Sequence, residues 1–188
     1  MGRRDHALLL VALRTGLRVS ELAHLACGDV HLGTGPYLRC TGKGRKDRCT
    51  PLDAPTVVVL RQWLAERAGQ PGDPVFCTRQ GRLLSRDAVQ ARLDKYHVIA
   101  VDQCPSLADK NLSPHTLRHS TAMRLRLAGV DLAVIALWLG HDDIKSTQKY
   151  LHADLELKER ALARTSPPDV PPGRYKPPDQ LLAFPDSL

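Results

Sequence analysis

The sequence predicts a mainly α fold with one small antiparallel β-sheet, an α+β domain. Three observations carry that expectation. Apolar residues recur at helical spacing along much of the chain, capping residues and glycine stops bound these stripes, and one glycine-rich stretch lies between two short segments of strand character.

Residues 7–13 are apolar all round, which suits a helix buried on every side, and Gly16 is placed to end it in the left-handed conformation. Ser20 is expected to cap the short helix that follows. Residues 37–40 and 48–51 flank a stretch whose glycines, Gly42 and Gly44, give the backbone freedom that a hairpin turn needs. Lys43, Arg45 and Lys46 make the tip of that hairpin basic.

Val57, Leu60, Leu64 and Ala68 form the next helical stripe, with Gly69 as its stop and residues 71–74 as a proline-glycine loop. Ser85 caps a helix running towards Ala100. Ser113 followed by Pro114 sets a helix start that Gly129 closes; Asp131 opens another that Gly140 ends. Ser146 or Thr147 starts a segment holding Tyr150, and Asp154 starts a last helix to about Arg164. Beyond it Pro167, Pro168, Pro171, Pro172, Pro177 and Pro178 forbid a helix or a sheet interior. The expected organisation is one domain over residues 1–165 and an extended proline-rich tail over 166–188.

Against 20 acidic residues stand 27 Lys and Arg, a net charge of +7 that suits a phosphate backbone or an anionic surface. No apolar run approaches the roughly 20 residues that span a bilayer, so a cytoplasmic protein without a membrane partner is expected. The five cysteines are dispersed and never form a C-x-x-C pair, which argues against a disulfide framework or a zinc knuckle.

Six residues stand out chemically: Arg18, Lys43, His115, Arg118, His141 and Tyr150. Cutting DNA without water requires a nucleophile that stays bonded to phosphorus, cations for the non-bridging oxygens and an acid for the leaving oxygen. A tyrosine, two arginines and a lysine or histidine supply those parts. The planar arginine fork suits two oxygens and stays charged, whereas a lysine can give up a proton. His115 and Arg118 are three apart near one helix start and share a face close to backbone amides that favour an anion. A rival reading gives His115, His119 and His141 to zinc, but no glutamate follows the first histidine and Arg118 would set a cation beside the metal. Tyr37, Tyr96 and Tyr175 compete with Tyr150 as nucleophile; their expected places are a strand, a helix and the proline-rich tail. Trp63 and Trp138 fall on apolar stripes and are expected to pack.

Four ordered blocks of this sequence resemble the signatures of tyrosine recombinases, most of all Xer-type and phage integrases. They are Thr15-Gly-Leu-Arg-Val-Ser-Glu-Leu22, Gly42-Lys43-Gly44 ahead of Pro51-Leu52, Leu112-Ser-Pro-His-Thr-Leu-Arg-His119, and Leu139-Gly-His141. Tyr150 follows His141 by nine residues and His141 follows Arg118 by 23, as in that family. The resemblance implies a recombinase catalytic domain whose Tyr150 attacks the scissile phosphate to leave a 3′-phosphotyrosyl link. Arg18, Arg118 and His141 would stabilise the transition state, Lys43 would protonate the 5′ oxygen, and His115 would assist proton transfer.

It implies DNA as partner, a homo-tetramer on paired sites or a monomer in isolation, and no metal, ATP or other cofactor. Members usually carry an N-terminal core-binding domain, and this sequence is expected to lack it, as a fragment or a truncated gene product. Two other readings stay open: a DNA-binding remnant without turnover, and a type IB topoisomerase-like relaxing enzyme.

Overall fold

A computed structural model describes residues 2–42 and 47–140. Helix α1 (Arg3–Thr15) packs against α3 (Ala54–Arg67) and α5 (Pro114–Leu127). Ala7, Leu8 and Val11 are fully buried, but Leu9 and Leu10 are half-buried and Leu13 is exposed, so α1 is central without being buried on every side as the apolar run predicts. Gly16 ends α1 at φ 66°, in the left-handed conformation that the sequence predicts.

The short helix α2 (Val19–His24) leads into a three-stranded antiparallel sheet of order β1 (Val30–His31), β2 (Tyr37–Thr41), β3 (Asp47–Pro51). The hairpin β2–β3 has the expected strands, paired Leu38 to Thr50 and Cys40 to Arg48. Strand β1 was not expected, because two residues are too few to show a period of two. Along β2, Leu38 and Cys40 are buried while Arg39 and Thr41 are exposed, so one face of the sheet joins the core.

Among the described residues the apolar side chains gather in two clusters. The larger gathers Leu8, Val11, Leu22, Leu38, Leu60 and Phe76; the smaller holds Ala122 of α5 with Ile135 and Leu139 of α6 (Leu132–Leu139). Trp63 and Trp138 both pack as expected, with their indole N–H groups donating to Val75 O at 2.9 Å and Thr15 O at 3.0 Å.

The predicted caps Ser85, Ser113 and Asp131 all accept a backbone N–H from the first turn of α4 (Arg86–Gln103), α5 and α6. Two expectations need correction. Ser20 lies inside α2, whose N-cap is Arg18: the Glu21 carboxylate reaches back to the Arg18 amide at 2.6 Å and does the work assigned to a serine hydroxyl. The left-handed residue ending α3 is Ala68, at φ 48°, and not Gly69. Gly69 is held small for another reason, since a Cβ there would lie 2.9 Å from Cys27 Sγ. The hairpin tip with Lys43, the segment holding His141 and Tyr150, the helix expected after Asp154 and the tail lie outside the described residues.

Candidate active site

Arg18, His115 and Arg118 line one cleft of about 340 Å³. Two local devices bring them there. Arg18 sits at the turn between α1 and α2, where Gly16 reverses the chain and the reaching-back Glu21 sets the helix start. His115 and Arg118 are near the N-terminus of α5, fixed by Pro114 and by Ser113 Oγ accepting from the Thr116 amide at 3.1 Å. His115 is exposed, while Arg118 is 7% exposed.

Arg118 donates to Gly16 O and to Leu139 O, both at 2.6 Å. These are carbonyls at the C-terminal ends of α1 and α6, where a cation is favoured by the open acceptors and the helix dipole. Arg18 Nη2 donates to the next carbonyl along, Gly140 O, at 2.7 Å. Two arginines from distant parts of the chain therefore pin the turn that leads directly into position 141.

Arg18 also donates from Nη1 to Glu21 Oε1 at 3.0 Å. Arg48 of β3 takes both oxygens of the same carboxylate, Nη1 to Oε1 and Nη2 to Oε2, each at 2.8 Å. Burial by itself would raise the Glu21 pKa, but the hydrogen bonds and charge of Arg48, with the amide and guanidinium of Arg18, outweigh it and hold the group below its ordinary 4.5. Glu21 is thus an anion at neutral pH.

A fourth side chain on the cleft was not singled out in the sequence. Arg86, the first residue of α4, lines it with Arg18 and Arg118. One basic residue after a cap in a basic chain carries no local signal, which is why the sequence does not reveal it. With its cationic lining and the amide end of α5, the cleft is suited to an anion with several oxygens, such as a phosphodiester.

Lys43, His141 and Tyr150 lie outside the described residues, though the residues just before the first two do not. Gly42 borders a neighbouring cavity of about 510 Å³ that Arg18 also lines, and Gly140 is the residue held by Arg18. Two rival tyrosines have other roles: Tyr96 donates its hydroxyl to Asp5 Oδ2 at 3.0 Å, and Tyr37 stacks on His31 at 4.4 Å between centroids. Among the described residues, no helix is long and apolar enough to cross a membrane.

The sequence profile of the phage integrase family matches residues 1–156. The y4rC protein of Sinorhizobium fredii is 52% identical over the whole chain, which covers 56% of that protein. The tyrosine recombinase XerC of Pelobacter propionicus is 38% identical over 89% of this chain and 56% of its own length. The chain therefore spans about half the length of the curated relatives it matches. Among solved structures, the XerH site-specific recombinase bound to its difH substrate, in a pre-cleavage complex, superposes with a TM-score of 0.71. That likeness covers 86% of this chain and 46% of the other at 28% identity.

Proposed function

This chain belongs to the phage integrase family and is a tyrosine recombinase catalytic domain, and from that premise we propose that it cuts and rejoins DNA at specific sites through a covalent bond to Tyr150. The observation that carries the reading is the convergence of Arg18, His115 and Arg118 on one cleft. Three cationic or proton-carrying groups from two separate signature blocks, Arg18 from one and His115 with Arg118 from the other, meet where a phosphodiester would need them.

In the proposed step the Tyr150 oxygen attacks phosphorus, its proton passes to the imidazole of His115, and the bond from phosphorus to the 5′ oxygen breaks. Lys43 gives that oxygen its proton, leaving a 5′ hydroxyl and a 3′-phosphotyrosyl link. Arg18, Arg118 and His141 hold the non-bridging oxygens as charge builds on them. Attack by a 5′ hydroxyl of another strand reverses the sequence and reseals the DNA. The phosphodiester energy is kept throughout, so neither ATP nor a metal ion enters the scheme. We assign this chemistry to residues 1–165, in the cytoplasm, with four copies meeting on paired DNA sites.

Nicked suicide DNA tests the proposal, because the short strand beside the nick diffuses away after cleavage and traps the adduct. The chain should form a protein–DNA band stable to denaturant, and the Tyr150→Phe variant should bind the DNA but form no band. A Lys43→Ala variant should recover on DNA whose bridging 5′ oxygen is sulfur, which needs no acid to leave. No adduct from the unmodified chain on such DNA, or an undiminished one from Tyr150→Phe, would overturn the reading.

A further inference from the structure

Arg48 has no part in the chemistry proposed above, yet it joins three of its supports. It stands on β3, the strand that follows the Lys43 hairpin. Both its terminal nitrogens grip Glu21, the carboxylate that Arg18 also holds. Its guanidinium lies against Gly140: a Cβ built there would come within 3.1 Å of Arg48 Cζ and 3.2 Å of Cδ. The Arg48 side chain is 12% exposed and that of Glu21 is 3% exposed, so the pair is shielded from water and counter-ions.

Charge balance then sets what Arg18 can do. A buried carboxylate needs one compensating cation, and without Arg48 that cation would be Arg18. Its charge would be spent on Glu21 and its fork drawn away from the cleft. With Arg48 in place the three groups carry a net single positive charge, on the guanidinium that is about one-third exposed and lines the cleft.

We infer that Arg48 is a positioning residue for the recombinase site: as counter-ion to Glu21 it keeps the charge of Arg18 available to a phosphate, and it packs on Gly140, the left-handed residue that ends α6 and whose carbonyl Arg18 holds. The inference rests on the proposed role of Arg18.

The test measures single-turnover adduct formation at saturating nicked DNA for the full chain and for R48M, R48K, E21Q and E21Q/R48M. Each variant is first checked for cooperative unfolding. R48M should be slowed about 30-fold or more, because a transition-state cation is lost while ground-state binding is largely kept. R48K, which keeps a point charge without the fork, should fall between the two. The E21Q/R48M variant should outperform R48M, because a neutral amide in place of the Glu21 carboxylate no longer claims Arg18; plain structural damage would not be relieved by a second buried change. On DNA with a methylphosphonate at the scissile position, which lacks the charged oxygen, the R48M defect should shrink to about 5-fold or less. Equal rates for R48M and the unmodified chain would overturn the inference, as would the same defect on both substrates and in both Glu21 backgrounds.

If the unmodified chain forms no adduct at all, the reading of the site fails separately. The linkage is then decided without DNA by the Arg18 Nε–H NMR signal. It should move in R48M as Arg18 becomes the sole counter-ion; an unmoved signal would overturn the inference.

Discussion

Gly16 and Leu139 meet where no side chain would fit: a Cβ on Gly16 would lie 2.7 Å from Leu139 Cδ2. The same glycine has φ 66° and offers its carbonyl to Arg118. One residue thus ends α1, lets α6 approach and anchors an arginine of the cleft.

Replacing Gly16 by alanine should therefore cost about 2–4 kcal/mol, combining the left-handed penalty with overpacking. Urea unfolding should show a lower midpoint at unchanged slope. A midpoint within error of the unmodified chain would mean that the α1–α6 contact is loose.

Arg18→Lys and Arg118→Lys keep the net charge but lose the fork. Arg118 bridges two carbonyls 2.6 Å away on different helices, a geometry one ammonium cannot reproduce. Both variants should lose about 100-fold or more in adduct formation, the scale of removing one oxyanion donor. Near-normal rates for Arg118→Lys would reduce that residue to a general cation.

Acid should unfold the protein through its paired carboxylates. The folded-state pKa of Glu21 lies below the ordinary 4.5, because its arginine bonds outweigh burial. Asp5 behaves likewise against 3.8: burial pushes it up, and Arg4, Tyr96 and Arg92 bring it down. Their contribution is complete above about pH 4.5 and is lost as pH falls through the lower folded-state values, because the unfolded chain takes up the protons first. Urea midpoints measured from pH 6 to pH 3 should fall steeply below 4.5. Glu21→Gln should be less stable at pH 6 and lose less on acidification; an unchanged acid slope in that variant would contradict the pairing.

The thiols should divide by burial. Cys40 is buried, and burial pushes its pKa up to about 11, so little reactive thiolate exists at neutral pH. Cys49 and Cys104 are exposed. A disulfide reagent should label those two first and Cys40 only on unfolding. Early labelling of Cys40 would contradict the packing of β2.

What was legible in the sequence is what neighbouring residues decide. Ser85, Ser113, Asp131, Gly16 and Gly140 punctuate helices within a few residues of themselves, and each acts as expected. The glycine-flanked basic tip marked the hairpin. Arg18, His115 and Arg118 were found through the motifs around them, and their common cleft is a property of the fold. What was not legible depends on distant partners. Glu21 and Arg48 look like ordinary surface charges until β3 returns beside α2, and Arg86 gains meaning only when α4 starts next to Arg118. Ser20 gave way to Glu21 because a longer acidic side chain three residues after Arg18 can reach back to its amide.

The central claim is that Tyr150 is the nucleophile, and peptide mapping of the trapped adduct tests it most directly. After nuclease and protease digestion, mass spectrometry should place a nucleotide, joined through its 3′ phosphate, on the peptide containing Tyr150. A nucleotide on the peptide of Tyr37, Tyr96 or Tyr175, or a linkage through a 5′ phosphate, would contradict it.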